Sequence, residues 1–517
     1  MNGADRLCDI LLANDIDVCF ANPGTSEMHF VAALDKKPKM RCVLGLFEGV
    51  VTGAADGYGR MKGHPAATLL HTGPGLANGL ANLHNARRAH TPMINIVGDH
   101  AAYHLRYDAP LTSDIESLAA PMSHWVGRVK SPEDVGPSLE AAYGAACRTP
   151  GVATMILPAD SAWGEVAPAL IHPVILPRIP KVKVETLRIA AQAIRNAPGR
   201  VGLLLGGAGL RGEALDMAGR IAAVMDIKLF STVLLSRTER GRGRVAVTRI
   251  PYPIDLALDM LKDLDTLILI GEREPVAFFG YPGKPSRLLP DTCKIIPLAG
   301  IEEDIPHALA MLADELSVRK TQPLNLKPAY VLDRLPSGPL NEDAIAVIVA
   351  RMLPEHAIIC DEALTSARRL FSLSEFSAPH DYLMNTGGSI GIGIPLATGA
   401  AIACPDRKVI ALQADGSGMY TVQGLWTQAR EHLDIVTIIL NNRAYAILQG
   451  EMTHVGVTSY GGNAEKMMRL DQPDLNWVAL AKGMGVEGAR AASCEDFIKL
   501  LTSALSHQGP FLIEAMI

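Results

Sequence analysis

The chain has 517 residues, enough for about three domains of ordinary size. Its 48% hydrophobic content permits large cores, and a net charge of -6 supplies no general basic field for nucleic acid. The eight cysteines contain no Cys-x-x-Cys pair, which argues against a zinc site or a disulfide framework and fits a reducing, cytoplasmic setting.

The amino-terminal MNGADRLCDILLANDIDV has no charged-then-apolar secretory pattern, so no signal peptide is expected. Through residues 1–165 the apolar runs DVCFAN, CVLGLF, AATLLH, MINIVGD and ATMILPAD alternate with helical stretches. That alternation predicts a parallel sheet covered by helices on both faces. Asn22-Pro23-Gly24-Thr25-Ser26-Glu27 follows the first strand and opens a helix, with Thr25 or Ser26 placed either to cap it or to touch a substrate. Glu48 closes LGLFEG before a helix, where a carboxylate complements the helix dipole. His71 closes the next strand in LLHTGPG. Asp99, His100, Tyr103, His104 and Asp108 form either a distinctive substrate pocket or a polar surface loop.

The proline-rich, basic stretch PVILPRIPKVK reads as a linker to a second domain at 184–320. There a strand at Val201–Leu205 leads into Gly206-Gly207-Ala208-Gly209-Leu210-Arg211-Gly212, a G-x-G-x-x-G match. A dinucleotide fingerprint also needs an acidic residue ending the next strand, and Ser231 and Thr232 stand there instead. TQPLNLKPAY reads as the second linker, ahead of a third domain at 338–517. Residues 382–405 carry no charge and are long enough to span a bilayer, but their glycines and Pro395 point to buried helix and loop against a cofactor.

Residues 408–445 form a βαβ unit. Its first strand ends in Ala414-Asp415-Gly416-Ser417 and its second in Asn441-Asn442, so a carboxylate and an amide oxygen reach one sheet edge. Such hard oxygen donors suit Mg²⁺ that also holds phosphate oxygens. This Asp-Gly, with Asn-Asn 27 residues after the Asp, resembles the diphosphate-binding motif of thiamine diphosphate (ThDP) enzymes. Ala414 stands where the first Gly of that motif is usual. The FEGVVTGAADGYGRMKG and LLHTGPG segments resemble the same family's decarboxylases and carboligases, and the likeness covers nearly the whole chain.

The resemblance implies an α/β fold of three doubly wound parallel-sheet domains: pyrimidine-binding, Rossmann-like middle with six strands, and diphosphate-binding. It implies Mg²⁺ held by Asp415, Asn442 and the Ala444 carbonyl, and cofactor contacts from Asn22, Gly24, Gly388, Ile390, Gly416, Ser417 and Tyr445. Gly388 would accept from the cofactor's 4'-amino group, and Ile390 would hold its two rings in a bent V. Glu48, beside Phe47 and Val50, would share a proton with N1' of the aminopyrimidine, and His71 would move protons to intermediates. Thr25, Ser26, Phe279 and Leu448 would face the substrate. FAD, which acetolactate synthases bind in the middle domain, is a possible further cofactor.

The implied activity is making or breaking carbon-carbon bonds at 2-oxo acids, as an acetolactate synthase-like carboligase. Two alternatives stand beside it. One is a decarboxylase of the benzoylformate decarboxylase type; the other is a non-enzymatic cofactor-binding assembly subunit. Two departures bear on the choice: AFFGYPGK offers Phe278, Phe279 and Tyr281 in place of the decarboxylase's second histidine, and the synthases' lysine near 123–125 is missing. A homodimer or dimer of dimers with interface active sites is implied, with no nucleic acid and no membrane as partner.

Overall fold

The computed structural model describes residues 1–324, 326 and 334–517, so half of the stretch read as the second linker lies outside the described residues. Strands β1 (Val18–Asn22), β2 (Arg41–Leu44), β3 (Ala66–Leu70), β4 (Met93–Asp99), β5 (Trp125–Arg128) and β6 (Val152–Pro158) form one all-parallel sheet ordered β2-β1-β3-β4-β6-β5. β4 and β6 are buried along their whole length, as expected of strands covered on both faces. A second sheet takes β7 (Val201–Leu205) and β8 (Lys228–Ser231), then β10 (Thr248–Arg249), β11 (Thr266–Ile270) and β12 (Lys294–Ala299). The third contains β13 (Ile358–Glu362), β14 (His380–Met384), β15 (Val409–Ala414), β16 (Ile435–Asn441), β17 (Glu487–Ala491) and β18 (Phe511–Met516).

The middle sheet has five strands among the described residues, where six were expected. Strand β9 (Thr238–Arg240), which lies between β8 and β10 in the chain, instead pairs antiparallel with β14 at the edge of the third sheet. The cause is Arg240. Its buried guanidinium sits 3.6 Å over the Phe371 ring, donates to the Phe371 carbonyl at 2.7 Å and pairs with Glu375, all from the third sheet's side.

The uncharged stretch at 382–405 becomes β14, a glycine-rich loop and helix Gly393–Ala403, every residue of which is buried. The helix packs on helix Glu48–Lys62 of the first domain, which is buried from Glu48 to Met61. Backbones touch at this crossing: a methyl added at Gly399 would stand 1.8 Å from the Ala54 carbonyl oxygen, and one at Gly57 would stand 2.1 Å from the Leu396 carbonyl oxygen. Beside it, buried Arg60 pairs with Asp56 and donates to the Met384 carbonyl at 2.6 Å and to Thr386 at 3.0 Å. The crossing therefore locks the first sheet to the loop at 385–391.

Candidate active site

Three carboxyl-edge turns of the first sheet meet around His71. After β1, Gly24 takes the cap position assigned above to Thr25 or Ser26, and Glu27 reaches back to accept from the Gly24 N–H at 2.7 Å. Glu27 is buried, and its carboxylate also faces His71 Nδ1 at 2.9 Å and the Ser26 hydroxyl at 2.5 Å. With Glu27 accepting from Nδ1–H, Nε2 is the ring nitrogen that this pairing leaves over. Gly24 is required by this approach, since a methyl there would lie 2.1 Å from the His71 ring. Ser26 gives its one proton to Glu27, whereas Thr25 is exposed. Glu27 had no assigned role in the sequence because its spacing from Gly24 matches an ordinary helix start.

Glu48 opens helix Glu48–Lys62 with its side chain largely buried and accepts from Asn78 at 3.0 Å. Asn22 ends β1, two residues before Gly24, and is half-buried. Behind Glu48, Asn82 donates to the Gly49 carbonyl at 2.7 Å, and Asn85 donates to Asn82 at 3.0 Å. Buried Asn85 also reads the 385–391 loop: it donates to the Ser389 carbonyl at 2.7 Å and accepts from Gly387 and Ser389 N–H at 3.1 and 3.3 Å. Gly388 in that loop has φ +76°, which favours glycine. Ile390 stays partly exposed, and so is not ordinary core.

The loop's far end is held by Glu362, another buried acid without an assigned role. One oxygen accepts from Gly391 and Ile392 N–H at 2.9 and 3.2 Å, the other from Gly393 N–H at 2.9 Å and Gln413 at 3.0 Å. Burial pushes its carboxyl up, against the pull of these donors.

Asp415 directly follows β15 and is almost fully buried, accepting from Gly416 N–H at 2.8 Å and Arg443 N–H at 2.7 Å. Burial pushes its carboxyl up to about 6, because the charge has only these main-chain donors around it. Asn442 follows β16 and accepts from Ala444 N–H at 3.0 Å, which aims the Ala444 turn at the same edge. The Tyr445 ring covers Gly416, leaving 2.4 Å for a methyl there. Ser417 turns its hydroxyl inward to Gln413 at 2.6 Å, so its main chain is what borders the edge. Among the described residues no three His, Cys, Asp or Glu side chains cluster. An underneutralised carboxylate beside amide and carbonyl oxygens does fit Mg²⁺ that completes its shell with phosphate.

Phe278 and Phe279 stand 39% and 54% exposed, with ring centroids 4.9 Å apart, and Phe278 reaches within 2.7 Å of a methyl placed on Gly388. Leu448 is exposed on helix Ala446–His454. Of the Asp99 cluster, Asp99 is buried and accepts from Arg128 at 2.6 Å, whereas Tyr103 is 63% exposed. In the middle domain the glycine turn is filled by the chain itself. A methyl on Gly206 would lie 2.4 Å from Glu272, and one on Gly207 would lie 2.7 Å from Ile301. Burial pushes Glu272 up to about 7. An acid and an isoleucine over the turn do not fit a dinucleotide's diphosphate.

Two sheets that present an acid and an oxygen-donor edge to a shared loop define an α/β cofactor enzyme. Residues 1–118 match the family of N-terminal thiamine pyrophosphate-binding domains, and residues 365–515 match that of the C-terminal ones. A provisionally assigned acetolactate synthase large subunit of Mycobacterium tuberculosis, IlvX, is 45% identical across 100% of this chain and 99% of its own length. Benzoylformate decarboxylase of Pseudomonas aeruginosa is 27% identical over 98% of this chain and 97% of its own. The solved Rhodococcus jostii RHA1 4-hydroxybenzoylformate decarboxylase shares the fold at TM-score 0.87 and 24% identity, over 99% of this chain and 98% of that one. The chain belongs to the thiamine pyrophosphate (thiamine diphosphate) enzyme family. Among the described residues no helix is long and apolar enough to cross a membrane.

Proposed function

We propose a ThDP- and Mg²⁺-dependent enzyme that acts on 2-oxo acids, with Asp415 as the observation that carries the reading. Its buried carboxyl, with Asn442 and the Ala444 carbonyl, would hold Mg²⁺, and the Gly416 and Ser417 main chain would border the diphosphate. Asn22, Gly24 and Tyr445 would line the cofactor, Gly388 would accept from its 4'-amino group, and Ile390 would support its bent shape. Glu48 would hold and return a proton at N1'. When bound, ThDP supplies the electron sink that lets a 2-oxo acid lose CO₂.

His71, oriented by Glu27, would pass a proton through Nε2 at the substrate oxygen. Thr25 would meet the substrate carboxylate. Ser26, with its proton on Glu27, would shape that side, and Phe279 and Leu448 would face the substrate's side chain. Glu272 and Ile301 leave FAD out of this reading. A homodimer or dimer of dimers would complete the site, with Glu48 of one protomer serving the clamp of its partner. Eight free cysteines support a cytoplasmic location.

Carboligation of the acetolactate synthase kind is the first reading, supported by the 45% identical relative. Decarboxylation of an aryl 2-oxo acid is the second, favoured by the His71–Glu27 pair and the uncovered Phe278 and Phe279. The pure protein incubated with ThDP, Mg²⁺ and a panel of 2-oxo acids separates them. A coupled hydroxyketone supports the first and free aldehyde the second; no CO₂ from any acid rejects both.

A further inference from the structure

Helix Ala446–His454 carries Leu448, yet none of its residues is buried, so apolar packing does not hold it in place. Among the described residues its side-chain hydrogen bonds to another domain converge on one carboxylate. Glu451 Oε1 accepts from the Tyr252 hydroxyl at 3.0 Å and Oε2 from the Tyr281 hydroxyl at 2.6 Å. The two phenol oxygens lie 3.4 Å apart, and the Tyr281 ring meets His454 edge-on at 5.7 Å. Hydrogen bonds to an ionised acceptor are the strong ones, and two on one carboxylate also fix its direction.

The clamp continues toward the site. The Tyr252 ring lies 5.5 Å from Phe278, and Phe278 abuts both Phe279 and the Gly388 loop. Helix, Glu451, Tyr252, Phe278 and Gly388 thus form one line of contacts between the wall bearing Leu448 and the wall bearing the aromatics. Leu448, Phe278 and Phe279 remain 45%, 39% and 54% exposed, apolar surface left uncovered on both sides of the clamp.

We propose that Glu451 is a positioning residue that sets the separation of these two walls, and through it the size of 2-oxo acid side chain the enzyme prefers. Resting on the second, aryl 2-oxo acid reading, this gives the site an aromatic side chain, which stacks on Phe278 and Phe279 in a way a methyl group cannot. Tyr252 and Tyr281 are the donors that keep the walls in register.

The test compares the ThDP- and Mg²⁺-loaded full chain with its Glu451→Gln, Tyr281→Phe and Tyr252→Phe/Tyr281→Phe variants, on benzoylformate and pyruvate. Glu451→Gln and the double variant should lower the benzoylformate-to-pyruvate ratio of kcat/KM about tenfold. The change should lie in the aryl substrate's KM, with kcat on pyruvate and ThDP affinity within twofold. Tyr281→Phe, which keeps the Tyr252 bond, should lose less. Hydrogen exchange should be faster at 446–454 in each variant. An unchanged ratio despite faster exchange overturns the proposal, as does an equal fall in kcat on both substrates, the mark of a merely structural tie. Wild-type protein that consumes no 2-oxo acid overturns the functional reading and this inference with it.

Discussion

Asn85→Asp replaces one amide nitrogen and its hydrogens by an oxygen and reverses the electrostatics of the loop that carries Gly388 and Ile390. The Asn85 amide nitrogen now donates to the Ser389 carbonyl at 2.7 Å and to the Asn82 oxygen at 3.0 Å. An aspartate oxygen in its place would face both oxygens lone pair to lone pair, fully buried. Two lost hydrogen bonds at about 1 kcal/mol each, plus burial of a charge, sum to about 3 kcal/mol or more. The new carboxyl can lower this cost by keeping its proton, so its folded pKa would lie above the unfolded value. Stability should then fall as pH rises through the interval between the two. Urea melts should show a modest deficit at pH 5 and the full one at pH 8, and ThDP titration should show weakened binding that follows the same trend. A variant as stable as wild type at pH 8, with equal ThDP affinity, would refute the claim that Asn85 holds this loop.

Gly399→Ala should cost about 3 kcal/mol, because its methyl would meet the Ala54 main chain at 1.8 Å and no side chain can yield; an unchanged urea midpoint would contradict the close crossing. Glu272→Gln tests the half-buried acid of the middle domain. Its folded value of about 7 lies above the reference 4.5, so ionisation penalises the folded chain increasingly from about pH 4.5 through 7. The glutamine variant should match wild type near pH 4.5 and exceed it by about 3 kcal/mol at pH 8.

What the sequence reveals about this molecule divides along a physical line. Asp415, Asn442, Glu48 and His71 end or follow apolar strands at short, regular spacings, so period and turn chemistry place them on sheet edges. Glu27 and His71 are 44 residues apart, Asn85 and Ser389 are 304 apart, and Glu451 and Tyr252 are 199 apart. Partnerships of that kind arise only when distant strands or domains pack, and no local pattern announces them. The uncharged helix Gly393–Ala403 signals burial without saying against what; two glycines, at 57 and 399, set the answer. Strand β9 is hardest to foresee, since its choice of sheet depends on where the Arg240 guanidinium finds Phe371 and Glu375.

The most direct test of the central claim is one calorimetric titration of ThDP with Mg²⁺ into wild type, Glu48→Gln and Asp415→Ala, with turnover assayed on the same samples. The account predicts that Glu48→Gln binds ThDP within a few-fold of wild type yet loses turnover, while Asp415→Ala binds none. Wild-type ThDP affinity in Asp415→Ala, or full turnover in Glu48→Gln, would contradict it.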